Sequence, residues 1–311
     1  MDVITSLDEL HKYREPYVIA MGTFDGLHVG HMQVINAAKD EARQSGCKLA
    51  VFTFSNHPLT LIAPDKAPLA LLSERQKIDL LGSLGVDVLI DIPFTREFAD
   101  IEPLDFLQRL SAVGYTCLVV GDNFTYGRFG KGNTKSLRYA SKLIGFKLLV
   151  LPLANINGVT ISSTIIRRFV LEGQVEKAAA MLGRWYSLTG IVSHGKERGR
   201  GLGFPTANLE LEDLKVAVPK YGVYAVRVLF KGKVYGGMAN IGRNPTFGDI
   251  PVARLETNIF GFDQNIYGEK ITVEFVSYIR NEMAFSSIDV LIRQLFEDSK
   301  RCKSEIADKC T

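Results

Sequence analysis

The stretch Gly22-Thr-Phe-Asp-Gly-Leu-His-Val-Gly-His31 decides the predicted fold of the first half of this chain. It follows an apolar run, Tyr17–Met21, which indicates a buried strand, and it precedes residues 32–43, which have the pattern of a helix. A strand, a glycine-rich turn and a helix N-terminus together favour phosphate, because backbone N–H groups point outward there and the helix dipole attracts negative charge. Three glycines let the backbone turn sharply and approach a ligand: Gly22, Gly26 and Gly30.

Two histidines, His28 and His31, add to the anion-binding character of this turn. They are three residues apart and share one face if the helix has begun by Val29. A single histidine at such a turn often only caps or packs a helix, but two rings beside Asp25 suit a polyphosphate. The spacing differs from the His-Glu-x-x-His pattern of zinc proteases, and the chain has no Walker phosphate loop. The turn therefore predicts a nucleotide site.

Phe24-Asp25-Gly26 followed by His28-x-Gly30-His31 resembles the signature of the HxGH nucleotidyltransferase superfamily, and the whole stretch is similar to the prokaryotic FAD synthetases. The resemblance implies that four residues of the turn bind nucleotide: Gly22, Phe24, Asp25 and Gly30. It also implies that His28 and His31 stabilise charge on the α-phosphate and on the leaving pyrophosphate. These two histidines are the predicted catalytic residues of the first half.

The length and composition of the chain fit a protein of two globular domains. It has 311 residues, of which 46% are hydrophobic and 23% charged, and its net charge is +3. So mild a charge favours neither a broad nucleic-acid footprint nor a polybasic membrane surface. The four cysteines form no Cys-x-x-Cys pair, and the acidic start lacks the basic region of a signal peptide. We therefore expect a cytoplasmic protein with free thiols and no membrane span.

Strands and helices alternate along the first half of the chain. Apolar runs predict strands at residues 17–22, 48–54, 86–92, 115–121 and 146–151. Helical patterns follow them at residues 31–43, 74–84, 103–113, 133–144 and 163–172, and Ser73 with Gln76 is a capping-box signal. This alternation predicts an α/β fold with a doubly wound parallel sheet, whose ligands bind beyond the carboxyl ends of the strands. Residues 1–183 are the predicted first domain.

The pattern changes after Gly183. Short β-branched and aromatic runs at residues 185–193, 223–230, 234–241, 254–260 and 270–279 are separated by glycine, proline and asparagine turns. They predict an antiparallel β-barrel or sandwich. A helical pattern from about Ser287 ends the chain, and we expect this helix to pack against the barrel. Residues 184–311 are the predicted second domain.

A second phosphate-type cluster in the first half is Ile161-Ser-Ser-Thr-Ile-Ile-Arg167. A serine there can cap the following helix, and Arg167 lies on the same face as Ser163 and Thr164. Such a segment can also be only a well-capped helix with a surface arginine. HxGH transferases carry a similar segment, and the resemblance implies that Ser163, Thr164 and Arg167 hold the phosphates of ATP.

Two loops of the first half are candidates for flavin contact. Residues 120–132 are rich in glycine and aromatic side chains, with Asn123 and Arg128 as polar contacts, and they resemble a loop of the FAD synthetases that implies contact with flavin or nucleotide. A mobile loop of ordinary composition is the alternative. Phe54-Ser-Asn-His-Pro58 resembles the F-x-P-H-P element of the same family, with Asn56 in place of the usual proline. His57 is the third predicted flavin-binding residue.

The densest motif of the second half is Gly195-Lys-Glu-Arg-Gly-Arg-Gly-Leu-Gly-Phe-Pro-Thr-Ala-Asn208. Its flexible backbone and basic residues suit phosphate binding without a helix, and its predicted nucleotide-binding glycines are Gly201 and Gly203. Thr206 and Asn208 alternate along an extended strand, so both point to one face, and their neutral oxygens suit Mg²⁺. A glycine-rich loop at a barrel mouth is the simpler alternative.

The string ending in Gly-Phe-Pro-Thr-Ala-Asn208 resembles the riboflavin kinase module, and residues 221–225, 240–247 and 255–258 follow in that family's order. Kinase chemistry needs a carboxylate that accepts the proton of the attacking hydroxyl. The resemblance places this catalytic base at Glu256, whose alternative is a strand residue facing solvent. Asn258 stands where many relatives have histidine.

Taken together, the motifs predict a bifunctional enzyme of flavin nucleotide synthesis. The barrel phosphorylates riboflavin to FMN with ATP and Mg²⁺, and the first domain transfers AMP from ATP to FMN, which gives FAD and pyrophosphate. Two alternatives are an FMN adenylyltransferase whose barrel only binds flavin and a flavin sensor without activity. The expected partners are small molecules, with no nucleic acid and no membrane. The oligomeric state is not predicted.

Overall fold

The computed structural model describes residues 1–194, 203–243 and 253–310 of the chain. The chain divides into two compact units, Met1–Ser163 and Thr164–Thr311. Helices cover a parallel sheet in the first unit, and the second unit is a β-barrel that carries helices. This agrees with the two fold classes that the sequence predicts.

The first unit is built on one parallel sheet. Its strands are β1 (Asp2–Ile4), β2 (Tyr17–Met21), β3 (Lys48–Phe54), β4 (Val88–Ile92), β5 (Tyr115–Gly121), β6 (Thr125–Tyr126), β7 (Gly132–Asn133), β8 (Lys147–Leu151), β9 (Asn155–Ile156) and β10 (Val159–Thr160). The sheet has the order β1-β4-β3-β2-β5-β8, and every neighbouring pair in it is parallel. The four short strands pair as two antiparallel hairpins, β6 with β7 and β9 with β10.

Helices follow most of the sheet strands, as the sequence predicts. They are α1 (Val29–Ser45), α2 (Leu59–Ile62), α3 (Glu74–Ser83), α4 (Arg96–Ala99), α5 (Pro103–Leu110), α6 (Thr134–Ile144) and α7 (Ser163–Leu171), which begins on the last residue of the first unit. Ser73 and Gln76 form the predicted capping box at the start of α3. Left-handed glycines end α1 and α6, because a glycine adopts positive φ without strain.

Apolar side chains cover both faces of the sheet. Tyr17, Ile19 and Met21 of β2 enter one hydrophobic cluster, whereas Val18 and Ala20 of the same strand enter another. Successive residues of a strand point to opposite faces, so the two clusters lie on opposite sides of the sheet. This confirms the doubly wound arrangement.

The strand order explains where the first site lies. Strand β2 has β3 on one side and β5 on the other, and the chain crosses from one side to the other between these neighbours. In open α/β sheets, ligands bind outside the carboxyl ends of the strands at such a reversal. The turn from Gly22 to His31 follows the carboxyl end of β2 and therefore lies at this position.

The second unit contains a closed antiparallel barrel. Its elements are α8 (Val175–Leu182), β11 (Tyr186–Ser193), β12 (Ala207–Leu211), β13 (Gly222–Phe230), β14 (Lys233–Arg243), β15 (Ala253–Ile259), β16 (Lys270–Arg280) and α9 (Ile288–Lys309). The barrel order is β11-β12-β15-β14-β13-β16, and pairing between β11 and β16 closes it. The terminal helix α9 packs on β13, β14 and β16, as the sequence predicts.

The structure adds several short elements that the sequence analysis does not predict, among them β1 and α8. Strand β1 has three residues and pairs with β4 at the edge of the sheet, so it is too short to show a period. Helix α8 packs on β11 and β16, and for this reason the division by packing falls earlier in the chain than Gly183. The domain boundary at Gly183, which follows the change in sequence pattern, stays a prediction.

Within the three described segments, no helix has both the length and the apolar character that crossing a bilayer requires.

Candidate functional site

The turn after β2 is a strained backbone segment. Phe24 and Leu27 have φ angles of 46° and 43°, which side-chain-bearing residues rarely adopt, and Gly26 has a φ of 84°. A Cβ on Gly26 would lie 2.8 Å from Leu71 Cδ1, so that position requires glycine for space as well as for its φ angle. Strain of this kind persists where the surrounding contacts fix it, and it is concentrated at functional sites.

His28 is the N-cap of α1. Its Nδ1 accepts a hydrogen bond from the backbone N–H of His31 at 3.2 Å, so in this arrangement the ring proton is on Nε2, which is a donor. The His28 ring is buried and stacks on the His31 ring, with 3.5 Å between the ring centroids. The structure thus brings the two predicted catalytic histidines together at the helix start.

Phe24, Gly22 and Gly30 support the two histidines. Phe24 is buried and its ring meets His31 edge-on, with centroids 5.3 Å apart. A Cβ on Gly22 would lie 3.1 Å from the Phe24 ring, and one on Gly30 would lie 3.2 Å from His28 Cε1. Because Phe24 is enclosed, its side chain acts by packing, and the close approach at both glycines leaves room for the rings.

Asp25 connects the turn to two other segments of the same chain. Its Oδ1 accepts a hydrogen bond from the backbone N–H of Leu71 at 2.9 Å, and its backbone carbonyl accepts one from Ser163 Oγ at 2.8 Å. Thr53 donates to the carbonyl of Thr23 at 2.9 Å. The predicted residues Asp25 and Ser163 therefore meet, and the observed contacts position the backbone of the turn.

The other residues of the second phosphate cluster lie on α7. Thr164 is exposed, whereas Arg167 is buried. They stand three residues apart in the first turns of this helix, so they share a face, as predicted. Their role as phosphate ligands stays a prediction.

The predicted flavin-binding residues lie in two loops at the carboxyl ends of β3 and β5. His57 Nδ1 accepts from the N–H of Leu59 at 3.1 Å. Asn123 is exposed. Arg128 is tied to acidic groups, with its Nε 3.4 Å from Asp100 Oδ1 and its Nη1 3.6 Å from Glu102 Oε1. A flavin contact by Arg128 has to compete with these carboxylates.

Asn56, the departure from the family pattern beside His57, is accommodated by hydrogen bonds. Its Oδ1 accepts from the N–H of Phe94 at 2.7 Å, and its Nδ2 donates to the carbonyl of the same residue at 3.2 Å. The amide thus pairs with both backbone groups of Phe94. This contact fixes the loop that carries His57.

The barrel site is built from neighbouring strands. Asn208 of β12 lies opposite Glu256 of β15, and Glu256 lies opposite Asn240 of β14. Directly opposed residues point to the same face of a sheet, so these three side chains are neighbours. Thr206 precedes Asn208 by two residues and lines a cavity together with Glu256. The structure therefore groups the three residues predicted for the second site.

A cavity of about 250 Å³ opens beside Glu256. Polar and charged side chains form one part of its wall: Thr206, Asn240, Glu256, Asn258, Arg280, Glu282 and Asp298. The apolar lining residues are Phe204, Val223, Met238, Met283, Phe285, Leu291 and Leu295. A cavity that combines an apolar wall with convergent polar groups is typical of a small-molecule site.

Arg254 is a site residue that the sequence analysis does not identify. Its Nε lies 3.0 Å from Asn208 Oδ1 and 2.8 Å from Glu256 Oε1, and its Nη2 also donates to Asn208 Oδ1. The sequence does contain a signal for Arg254. This residue lies two positions before Glu256 on the same strand, and that spacing places both side chains on one face. The guanidinium joins two predicted site residues.

Asn258, the second departure from the family pattern, also has a backbone partner. Its buried Nδ2 donates to the carbonyl of Pro205 at 2.7 Å. This bond ties β15 to the segment that leads into Thr206. Gly203 lies at an exposed turn with a φ of 80°, whereas Gly201 lies outside the described residues.

The oxygen atoms of the barrel site fit a magnesium ion. Mg²⁺ prefers oxygen ligands, and Asn208 Oδ1 and Glu256 Oε1 both face one cationic group, the Arg254 guanidinium. A guanidinium has only donors, so the Asn208 atom that faces it is the amide oxygen, which is the atom a metal needs. In residues 1–194, 203–243 and 253–310, no cluster of three His, Cys, Asp or Glu side chains offers a metal site.

Comparison with known families assigns both units. The FAD synthetase family matches residues 10–165, and the riboflavin kinase family matches residues 182–306. A bifunctional riboflavin kinase/FMN adenylyltransferase of Bacillus subtilis is 39% identical over 287 residues, which cover 91% of this chain and 90% of that protein. The chain belongs to the bifunctional riboflavin kinase/FMN adenylyltransferase family. This confirms the predicted family and the predicted pair of transferase activities, and it favours them over a barrel that only binds flavin.

Two further relatives carry the same description, and one solved structure matches the chain over nearly its whole length. The proteins of Escherichia coli K12 and Haemophilus influenzae with the same description are 36% and 34% identical, and the matches cover 92% and 98% of this chain and 91% and 99% of theirs. A solved structure described as a macrolide-efflux protein of Streptococcus pneumoniae has a TM-score of 0.88 and 32% identity, with 97% of this chain and 99% of that chain covered. In this family, ATP and flavins are substrates.

Proposed function

We propose that the two centres act in sequence: the barrel makes FMN from riboflavin at Glu256, and the first unit converts FMN to FAD at His28 and His31. The observation that carries this assignment is the grouping of Glu256 with Asn208 and Thr206 beside a cavity, in a unit that contains neither histidine. Each centre has its own set of residues, so each has its own reaction.

In the kinase step, the flavin enters the cavity beside Glu256. Its flat ring system fits the apolar wall formed by residues such as Phe204 and Leu295, and its hydroxyl chain lies toward the polar end. Glu256 accepts the proton of the terminal hydroxyl while that oxygen bonds to the γ-phosphorus of ATP. The bond between the γ-phosphorus and the bridging oxygen breaks, and ADP leaves.

Thr206 and Asn208 are the residues that would hold Mg²⁺ in this unit. The bound ion would neutralise charge on the phosphate oxygens of ATP. Asn240 lies opposite Glu256 in the barrel, and Asn258 donates to the Pro205 carbonyl beside Thr206. We assign Gly201 and Gly203 to the binding of the nucleotide phosphates.

In the adenylyl step, an oxygen of the FMN phosphate bonds to the α-phosphorus of ATP, and the bond to the pyrophosphate oxygen breaks. No protein nucleophile is needed, so the site contributes position and charge stabilisation. His28 donates from Nε2, while His31 and the N–H groups at the start of α1 face the same charge. Gly22, Phe24, Asp25 and Gly30 are assigned to nucleotide binding, and their contacts hold the geometry of the turn.

Ser163, Thr164 and Arg167 are assigned to the triphosphate of the adenylyl donor, and His57, Asn123 and Arg128 to FMN. For Ser163, the hydrogen bond from its Oγ to the Asp25 carbonyl supports this assignment, because it places Ser163 beside the turn. For Arg128, a contact with FMN would be made beside Asp100 and Glu102, whose carboxylates lie 3.4 Å and 3.6 Å from the guanidinium.

The proposal includes a cytoplasmic location and only small-molecule partners, without nucleic acid. Four free cysteines support a reducing compartment. Burial raises the pKa of the Cys117 and Cys302 thiols to about 12, so both stay protonated and unreactive at neutral pH. Fractionation of the producing cells with an antibody against the chain tests the location.

One assay tests the two reactions together. The full chain is incubated with riboflavin, ATP and Mg²⁺, and separately with FMN, ATP and Mg²⁺, and the flavins are resolved by chromatography. We expect FMN and FAD in the first reaction and FAD in the second. FAD from FMN without any product from riboflavin would contradict the kinase assignment, and flavin binding without turnover would contradict both.

A further inference from the structure

Arg254 occupies the position where the barrel site offers its oxygens to a cation. Its Nε and Nη2 both donate to Asn208 Oδ1, and its Nε lies 2.8 Å from Glu256 Oε1. An amide oxygen has two lone pairs, and two N–H groups here converge on that one atom. The acceptor capacity of Asn208 is therefore used by the guanidinium.

A magnesium ion cannot share this oxygen with Arg254. Mg²⁺ binds its oxygen ligands at about 2.1 Å. Its two positive charges would repel a guanidinium that is bound to the same oxygen, Asn208 Oδ1. Arg254 is 28% exposed and Glu256 is 30% exposed, so the pair lies at a partly open surface where the arginine side chain can swing away. The exchange of one cation for another keeps the Glu256 carboxylate compensated throughout.

We propose that Arg254 is a positioning residue that occupies the metal position of the barrel until a magnesium nucleotide replaces it. Without nucleotide, the guanidinium excludes the metal ion alone from the Asn208 oxygen. The phosphates of the nucleotide carry the metal ion into the site. Their negative charge also pairs with the guanidinium once it leaves Asn208. The proposal rests on the assignment of Asn208 as a metal-binding residue.

The test measures metal binding without turnover. Mn²⁺ alone, a probe that takes the same oxygen ligands, is titrated into the full chain, and free Mn²⁺ is counted by its electron paramagnetic resonance signal. We expect Arg254→Met to bind Mn²⁺ about fivefold more tightly than the unaltered chain, because the competing charge is gone. Arg254→Lys, which keeps a charge, should bind nearly as weakly as the unaltered chain.

Two control variants assign the change to the barrel site. Arg227→Met removes an arginine with the same 28% exposure, 3.3 Å from Glu274, and should leave Mn²⁺ binding unchanged. In the double variant with Asn208→Ala and Arg254→Met, the gain should disappear. Mn²⁺ binding by R254M that equals that of the unaltered chain, or of R254K, would overturn the proposal.

A measurement on the unaltered chain covers the case in which R254M does not fold, which its melting temperature reports. The Nε–H resonance of Arg254 is assigned by its loss in R254K, and Mg²⁺ with ADP is then added. We expect this resonance to shift, and an unmoved resonance would contradict the exchange. If Asn208→Ala keeps full riboflavin phosphorylation, the assignment of Asn208 as a metal-binding residue is wrong. If Asn208→Ala loses this activity but R254M binds Mn²⁺ no more tightly than the unaltered chain, only the role of Arg254 is wrong.

Discussion

The two centres of this chain are fixed in different ways. The turn from Gly22 to His31 is held by its own backbone, with positive φ angles, an N-cap at His28 and a hydrogen bond from Leu71 to Asp25. The barrel centre is held by side chains on separate strands, where Arg254 joins Asn208 to Glu256. The two histidines of the first centre lie within four residues of the chain, whereas the residues of the second centre come together only through strand register.

This difference teaches where each centre is sensitive to change. The turn is sensitive to changes of its own backbone conformation, because the φ angles of the turn and the N-cap at His28 set the positions of the two histidine rings. A register-built centre is sensitive to a shift in strand pairing, because a shift of β12 against β15 separates Asn208 from Glu256. The following variants test this contrast, beginning with the largest expected effect.

Glu256→Gln should abolish the kinase reaction and leave the adenylyl reaction intact. We expect the rate of FMN formation to fall about a thousandfold, because the amide cannot accept the proton of the attacking hydroxyl. The measurement is FMN plus FAD formed from riboflavin, beside FAD formed from supplied FMN. Glu210→Gln on β12, which is exposed, is the matched control and should change neither rate. Loss of both activities in E256Q would show that the centres are not independent.

His28→Asn should impair the adenylyl reaction and leave the kinase reaction intact. Asparagine is a good N-cap, so this change keeps α1 capped and removes only the ring. FAD formation from FMN should fall about a hundredfold, as for the loss of one group that stabilises transition-state charge, while riboflavin phosphorylation stays unchanged. His11→Ala, at an exposed histidine of the same unit, serves as control. An undiminished rate of FAD formation in H28N would exclude the ring from catalysis.

Asp25→Ala should loosen the turn. The N–H of Leu71, a buried residue, loses its acceptor, which costs about 1–3 kcal/mol of stability. We expect a lower melting temperature and a fall of about tenfold in FAD formation, because the histidines are displaced. Asp25→Asn keeps an acceptor oxygen and should retain most of both properties. Equal losses in D25N and D25A would indicate that the charge of Asp25, rather than its hydrogen bond, matters.

Gly30→Ala should have the smallest effect of the four. The new Cβ would lie 3.2 Å from His28 Cε1 and 3.3 Å from Ala154 Cβ, so the His28 ring must shift by a few tenths of an ångström. We expect FAD formation to fall about threefold, with riboflavin phosphorylation unchanged. Gly82→Ala is the matched control, since its Cβ would meet only Met1 Cε at 4.0 Å and the position is helical. A rate in G30A equal to that of G82A would show that the ring tolerates the contact.

Much of the fold was predictable because its signals are local. The strands of the parallel sheet are continuous apolar runs, and the capping box at Ser73 and the helix start at Ser287 follow from neighbouring residues. Strand β1 and helix α8 were not predicted, since their existence depends on the edge of the sheet and on barrel strands far along the chain. The choice of a closed barrel over a sandwich likewise depends on the pairing of β11 with β16.

The sequence by itself determined the phosphate turn, the family and the candidate residues of both centres, because each motif is a short run whose chemistry is contained in its own spacing. Only the tertiary structure decided that Arg254 lies on Asn208 and Glu256, that Asp25 holds Leu71, and that Asn56 and Asn258 bind Phe94 and Pro205. These contacts join residues distant in the chain. Their existence depends on strand register and packing, which no local pattern contains.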